Sequence, residues 1–239
     1  MTMNRILLDV GNTSVKWQRR SGGKIVNSGR GDVNALGTWL TEQEGTDSCV
    51  AAVSCVRDDD TASAIEAMLR PISGNQTYFA SSEAYFKGLS NAYTHPESLG
   101  VDRWLAMLAI RARGGESAII IDAGTACTID VLKSNQHVGG YIFPGMALAR
   151  DALLANTDKI RFSDNPEPSL APGTGTAECV SSGVWLTVFA ACQNVIDQNP
   201  GVAVYLTGGS AEELAALGLK GERANDLVFD GLDFWLNGA

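Results

Sequence analysis

Residues 6–13 read Ile6-Leu7-Leu8-Asp9-Val10-Gly11-Asn12-Thr13, an apolar run that reaches an aspartate and then a glycine turn. The same order returns near the middle of the chain as Ile119-Ile120-Ile121-Asp122-Ala123-Gly124-Thr125. A second apolar strand pattern leaves each turn, at 15–17 after the first and at 129–132 after the second. One such turn alone would be read as a plain β-hairpin. Two related copies in one chain indicate an internal duplication.

The two copies lie on either side of a polar, glycine-containing stretch at 111–116, which is typical of a domain boundary. We therefore predict an N-terminal half of residues 1–115 and a C-terminal half of residues 116–239, each long enough to bury a core. Hydrophobic periodicity predicts strands at 5–10, 14–20, 24–28 and 49–56, and helices at 33–43 and 61–69. The predicted fold class is α/β, with two duplicated halves, each a β-meander followed by helix, strand and helix. Both aspartate turns are expected to open into a cleft between these halves.

Composition and charge exclude several classes of function. With 18 Lys+Arg against 27 Asp+Glu, the net charge is −9, which disfavours binding to nucleic acid or to an anionic membrane. The five cysteines form no CxxC pair and the two histidines form no HExxH, so neither a disulfide framework nor a zinc site is predicted. His95 and His137 are interpreted as structural. The short apolar run before Asp9 cannot serve as a signal peptide or membrane span, so we expect a cytoplasmic protein.

The first turn carries the groups that bind a phosphate chain. They are the backbone N–H groups around Gly11 and Asn12, the hydroxyls of Thr13 and Ser14, and the ammonium of Lys16. Asp9, at the strand end, is suited to hold Mg²⁺ through water. In the second copy, Thr125 is placed to contact the same phosphates, and Asp122 supplies another carboxylate for a cation. The chain has no GxxxxGK[ST] and no GxGxxG, so it lacks the phosphate loops of P-loop NTPases, Rossmann dehydrogenases and protein kinases.

Paired Asp-Gly-Thr turns in duplicated halves resemble the superfamily of acetate kinase, sugar kinases, heat-shock-70 proteins and actin, whose halves are ribonuclease H-like. Within it, four motifs in order along the chain resemble those of the type III pantothenate kinases. They are Asp9-Val10-Gly11-Asn12-Thr13, Gly100-Val101-Asp102-Arg103, Asp122-Ala123-Gly124-Thr125-Ala126 and Gly139-Gly140-Tyr141-Ile142-Phe143-Pro144-Gly145. The resemblance implies ATP-dependent phosphorylation of pantothenate to 4′-phosphopantothenate, the first step of coenzyme A biosynthesis.

The resemblance also assigns roles to residues that would bind pantothenate. It implies that Asp102 is the general base for the pantothenate hydroxyl, and that Tyr93, Thr176 and the stretch Gly100-Val101-Asp102-Arg103 contact the substrate. The residues alone allow other interpretations. Asp102 would favour a helix N-terminus with Arg103 as its surface partner, Tyr93 would pack a loop, and Thr176 would be a helix N-cap.

Further implications of the resemblance concern cofactors and assembly. It implies a monovalent cation, K⁺ or NH₄⁺, at Asp122, and a homodimer whose interface contributes to the substrate pocket. Cys127 stands where a hydroxyl residue is common in the family. The turn Thr207-Gly208-Gly209-Ser210 follows an apolar strand, and in the superfamily the equivalent turn borders the adenosine.

Two alternatives stay open at this point. One is another small-molecule kinase of the same superfamily, such as a sugar kinase, with the same ATP site and a different acceptor. The other is a non-enzymatic accessory or regulatory binding protein. The net charge of −9 argues against direct DNA contact by such a protein.

Overall fold

A computed structural model describes residues 4–43, 49–164 and 166–238. The strands are β1 (Asn4–Val10), β2 (Val15–Ser21), β3 (Lys24–Gly31), β4 (Cys49–Cys55), β5 (Thr77–Phe79), β6 (Tyr85–Phe86), β7 (Leu89–Ser90), β8 (Ala118–Ala123), β9 (Ala126–Lys133), β10 (Gln136–Pro144), β11 (Ala203–Thr207) and β12 (Glu222–Arg223). The helices are α1 (Val33–Thr41), α2 (Asp59–Ser73), α3 (Val101–Ala112), α4 (Met146–Asn156), α5 (Thr176–Asp197), α6 (Ala211–Ala216) and α7 (Leu227–Leu236), with a 3₁₀ turn at Pro96–Ser98.

The chain forms two compact units. The first unit comprises Met1–Gly115 together with Asp226–Ala239, and the second comprises Glu116–Asn225. In the first unit the strand order is β3-β2-β1-β4-β5, with β1 antiparallel to β2 and parallel to β4. In the second unit β10-β9-β8-β11-β12 run in the same order, with β8 antiparallel to β9 and parallel to β11. The predicted α/β class and the β-meander that opens each half are therefore confirmed.

Each sheet buries apolar side chains against its own helices. In the first unit, alternate residues of β1, including Ile6, Leu8 and Val10, pack with Trp17 and Leu36. In the second unit, Ile119 and Ile121 of β8 pack with residues of β9, α5 and α6. Because side chains alternate along a strand, Leu7 and Asp9 lie on the other face of β1, and both are buried as well. Asp9 and Asp122 are the next-to-last residues of β1 and β8.

The last residues differ from the domain boundaries expected from the sequence. Residues 226–239 were assigned to the C-terminal half, but the structure groups them with the first unit. There α7 packs against α3, and Gly231 lies so close to the backbone of Leu105 that a Cβ at this position would overlap the Leu105 carbonyl. A buried arginine, Arg20 of β2, also donates to Asp230 of α7 at 2.8 Å. Helix packing and this ion pair explain the placement of α7.

One helix stands out by composition among the residues that the structure describes. The segment Thr176–Asp197 is long and apolar enough to cross a membrane by length and composition alone. The mean hydropathy of its most apolar 18 residues is 1.4, and 28% of that stretch is buried. This is weak evidence for a membrane span, since helices that pack in soluble proteins meet the same criteria.

Candidate active site

Asp9 lies at the carboxyl end of β1, directly opposite Lys16 of β2. The Lys16 Nζ atom is 3.3 Å from Asp9 Oδ2. Burial raises the pKa of Asp9 above its ordinary value of 3.8, the Lys16 ammonium opposes this, and the negative charge of Asp102 raises the pKa further. The predicted magnesium ligand and the predicted general base are thus within electrostatic reach of each other in the first unit.

The turn after Asp9 is closed by a hydrogen bond from the Gly11 N–H to the Ser14 carbonyl at 3.1 Å. Two arginines that sequence analysis did not single out also contact this turn. Arg57 donates to the carbonyls of Gly11 and Asn12 at 2.7 and 3.0 Å, and Arg30 donates to the Ser14 hydroxyl at 3.0 Å. The parallel pairing of β1 with β4 could have indicated Arg57, because that residue follows β4 just as the turn follows β1.

Asp102 lies in the first turn of α3, where Gly100 is the N-cap. Its Oδ1 atom accepts a hydrogen bond from the Arg103 N–H at 2.8 Å. A Cβ at Gly100 would lie 2.7 Å from the same Oδ1 atom, so a larger residue at position 100 would displace the carboxylate. The glycine two residues before Asp102 therefore has a steric reason.

Arg103 is buried, with 6% of its surface exposed, so the interpretation of this residue as a surface partner of Asp102 is wrong. Its guanidinium donates to the Tyr93 hydroxyl at 2.9 Å and lies 5.9 Å from the centre of the Tyr93 ring. Two residues expected to contact the substrate are thus brought together beside α3. A guanidinium held by a tyrosine is suited to bind a carboxylate or polar group of a small molecule.

In the second unit Asp122 is the next-to-last residue of β8, and its neighbours across the sheet are Thr128 of β9 and Thr207 of β11. The turn that follows is fixed from two sides. Gly145 donates to the Thr125 carbonyl at 3.0 Å, and Ser210 donates to the Ala123 carbonyl at 3.0 Å. The last glycine of the Gly139–Gly145 motif and the Thr207–Ser210 turn therefore both support the turn that carries Thr125.

Glycines are required where these segments meet the Asp122 turn. Gly208 has a φ of +90°, and a Cβ there would lie 2.6 Å from the Ala123 backbone nitrogen. A Cβ at Gly145 would overlap the carbonyl of Gly124. The glycines thus allow three backbone segments to approach at one place, as expected where a ligand contacts main chain.

Cys127 does not face the solvent. It is fully buried in the core of the second unit with Cys192. Hydrogen bonding to Cys192 and burial raise the pKa of the Cys127 thiol. A hydroxyl at this position would need a partner inside the core, whereas the thiol behaves as a small apolar group.

Thr176 is the first residue of α5, and the N-cap is Gly175. The interpretation of Thr176 as the N-cap is therefore wrong. Glu178 instead accepts hydrogen bonds from the Thr174 N–H and hydroxyl, at 2.8 and 3.0 Å. The Thr176 side chain is exposed and lines an apolar groove of about 1430 Å³ between α4 and α5.

The two histidines have different surroundings. His137 is buried and lies 3.0 Å from Asp130 within the sheet of the second unit. His95 is exposed and lies 3.6 Å from Glu97. Among the described residues, no group of three or more His, Cys, Asp and Glu side chains is arranged to hold a metal ion.

Two α/β units with the same strand order, each ending its first strand in an aspartate turn, define a protein of the actin-like ATPase and sugar-kinase fold. Comparison with known proteins narrows this class. A sequence model of type III pantothenate kinase matches residues 5–198, and a type III pantothenate kinase from Hahella chejuensis is 33% identical over 232 residues, 96% of each chain. The chain belongs to the type III pantothenate kinase family.

Solved structures agree on the fold. A Campylobacter jejuni protein assigned to the Baf family of transcriptional activators has a TM-score of 0.64 at 18% identity, over 95% of each chain. A Sinorhizobium meliloti protein assigned as a 2-dehydro-3-deoxygalactonokinase has a TM-score of 0.59 at 13% identity, over 96% of this chain and 97% of that one. At these identities the likeness shows the fold alone.

Proposed function

We propose that this protein transfers the γ-phosphoryl group of ATP to the hydroxyl of pantothenate, with Asp102 as the general base. The family supports the overall reaction, which is the first step of coenzyme A biosynthesis. The single observation that carries the assignment of residues is the Asp9–Lys16 ion pair at the turn after β1, where the negative charge of Asp102 also acts on Asp9. A base that removes the hydroxyl proton beside a phosphate site is what this transfer requires.

Pantothenate is bound beside the start of α3. The Arg103 guanidinium, held by the Tyr93 hydroxyl, binds a carboxylate or polar group of the substrate. Gly100 and Val101 contribute backbone, and Gly100 leaves room for the Asp102 carboxylate. Asp102 then accepts the proton as the pantothenate oxygen attacks the γ-phosphorus, whose bond to the bridging oxygen breaks and releases ADP. Positioning supplies most of the catalysis in such a reaction.

ATP is bound through the turn after β1. The turn backbone around Gly11 and Asn12, the hydroxyls of Thr13 and Ser14, and the Lys16 ammonium contact the phosphates. The family resemblance implies that Thr125 contacts the phosphates as well.

Asp9 is the proposed ligand of Mg²⁺, through water, and Asp122 is the proposed ligand of K⁺ or NH₄⁺. The raised pKa of Asp9 supports the first assignment, because a buried carboxylate near another carboxylate is stabilised by a cation. One carboxylate, water and phosphate oxygens form an ordinary Mg²⁺ coordination. Bound Mg²⁺ would neutralise charge on the transferred phosphoryl group.

The protein acts in the cytoplasm as a homodimer. The apolar groove between α4 and α5 supports the homodimer, since the exposed Leu153 lines it and Leu148 and Leu186 on the same helices are exposed as well. Exposed apolar patches of this kind mark protein interfaces, and a second copy of the chain is the occupant that the family resemblance implies. Light scattering of the purified protein tests it, because a monomer at micromolar concentration would contradict the proposal.

The acceptor is tested with the purified protein, ATP and Mg²⁺. Phosphorylation of pantothenate, and none of hexoses or N-acetylhexosamines, is the expected result, with higher rates in K⁺ than in Na⁺. Phosphorylation of a hexose without pantothenate phosphorylation would favour the sugar-kinase alternative. Inactivity on every acceptor, with salt-sensitive and sequence-dependent DNA binding, would favour the regulatory protein.

A further inference from the structure

Arg57 occupies a short connection whose backbone is fixed on both sides. On one side the Val56 N–H donates to the Val10 carbonyl at 3.2 Å, which continues the pairing of β4 with β1. On the other side Asp58 is the N-cap of α2 and accepts from the Thr61 N–H at 2.9 Å. The Arg57 side chain therefore starts from a fixed position beside the end of β1.

The guanidinium of Arg57 joins two consecutive carbonyls of the turn. Its Nε atom donates to the Gly11 carbonyl at 2.7 Å and its Nη2 atom to the Asn12 carbonyl at 3.0 Å. These are charge-assisted hydrogen bonds from one rigid, planar group. A lysine at this position has a single ammonium and no such fork, so it cannot hold both carbonyls in the same geometry.

Holding the two carbonyls also orients two N–H groups. The peptide unit is planar and trans, so the carbonyl of one residue and the N–H of the next point in opposite directions. The Gly11 carbonyl therefore sets the direction of the Asn12 N–H, and the Asn12 carbonyl sets that of the Thr13 N–H. Both N–H groups are directed away from Arg57.

We propose that Arg57 is a positioning residue for the phosphate donor. It holds the turn so that the Asn12 and Thr13 N–H groups face the nucleotide phosphates, and it acts through the turn without contacting the nucleotide. This inference rests on the proposed function of the turn as the phosphate-binding loop. Neither the family motifs nor the predicted site residues include Arg57.

Arg30 is the matched control. It is the other arginine at this turn, and it is exposed and donates to the Ser14 hydroxyl at 3.0 Å rather than to the backbone. Arg30→Gln removes the same positive charge as Arg57→Gln. A difference between the two variants therefore reports on the carbonyl hydrogen bonds and not on net charge.

The experiment compares Arg57→Gln, Arg57→Lys and Arg30→Gln with the unmodified protein. Steady-state kinetics gives KM for ATP and for pantothenate, calorimetry gives the Kd for ATP with Mg²⁺, and a thermal melt checks folding. We expect Arg57→Gln to raise KM and Kd for ATP by about tenfold or more, the loss typical of charge-assisted hydrogen bonds. KM for pantothenate should stay within about twofold, and Arg57→Lys should fall between. Arg30→Gln removes only the hydrogen bond to the Ser14 hydroxyl, so it should raise KM and Kd for ATP by clearly less than Arg57→Gln does.

Three results would overturn the inference. They are an unchanged Kd for ATP in Arg57→Gln, an equal rise of KM for both substrates, or equal effects of Arg57→Gln and Arg30→Gln. If Arg57→Gln does not fold, Arg57→Lys decides. An ATP affinity of Arg57→Lys equal to that of the unmodified protein would refute the role of the two guanidinium donors. Calorimetry keeps this test separate from the proposed reaction, since an unmodified protein that binds ATP without phosphorylating pantothenate would refute only the reaction.

Discussion

Replacing Gly231 with alanine should destabilise the first unit, because this glycine is where α7 meets α3. A Cβ at position 231 would overlap the Leu105 carbonyl oxygen and would lie 2.5 Å from the Leu105 carbonyl carbon and 3.0 Å from its Cα. Favourable contacts between non-bonded carbon atoms need about 3.5–4.0 Å, so α7 must move by roughly 1 Å. The neighbours at this contact are backbone atoms, which cannot rotate away as a side chain can.

The expected magnitude follows from two opposing effects. Forcing extra volume into a packed interior costs about 1–3 kcal/mol, and the movement also loosens the buried residues of α7, which include Leu227, Leu232 and Trp235. The change from glycine to alanine in a helix returns up to about 1 kcal/mol. We expect a net loss near 2 kcal/mol and a Tm lower by about 4–8 °C for a chain of this size.

Gly37→Ala is the matched control for this prediction. Gly37 lies within α1, and a Cβ there would have no neighbour within 4 Å. The same chemical change should therefore stabilise the protein by up to about 1 kcal/mol. Thermal and urea unfolding measure both variants. If Gly231→Ala were as stable as the unmodified protein, or shifted in the same direction as Gly37→Ala, the close packing of α7 on α3 would be refuted.

The other predictions concern the carboxylates of the first unit. Asp102→Asn should lower kcat by about 10²–10⁴-fold while the Kd for ATP, measured by calorimetry, changes only a few-fold, and ordinary turnover would show that the base lies elsewhere. Asp9→Asn should weaken the use of Mg-ATP, seen as a higher KM for ATP, and an unchanged KM would refute Asp9 as a metal ligand. Because burial raises the pKa of Asp9 in the folded state, the unmodified protein loses stability as the pH rises from about 3.8 through that raised pKa. Asp9→Asn should not show this loss, so its stability advantage in urea unfolding should grow with pH over that range, and a constant difference would contradict the raised pKa.

The parts of the fold that were predictable depend on local patterns. The continuous apolar runs before Asp9 and Asp122 identified β1 and β8, and the glycine after each identified the turn. Asp102 was expected to favour a helix N-terminus, and it lies in the first turn of α3. In each case the pattern that identifies the element lies within a short stretch of sequence.

The parts that were missed depend on contacts between distant residues. The apolar residues of α7 do not say which sheet the helix covers. The choice depends on Gly231 against Leu105 and on Arg20 against Asp230, pairs that are far apart in the sequence. Arg57 was missed for a similar reason, because its contact with the turn exists only through the parallel pairing of β4 with β1.

Burial of the ionised Asp9 carboxylate, on which the negative charge of Asp102 also acts, lowers the stability of the folded state. The packing of β1 does not explain why a charge is kept at this position. Both carboxylates are in the first unit, and the Lys16 ammonium compensates only in part, since the pKa of Asp9 remains raised. A neutral residue in place of Asp9 would remove this cost, and the apolar neighbours Leu8 and Val10 do not require a charge. Unfavourable charge is retained where a ligand needs it, and a ligand that binds only the folded state restores stability. A cation held with nucleotide phosphates would do so here, because it would stabilise the ionised form of Asp9 that burial disfavours.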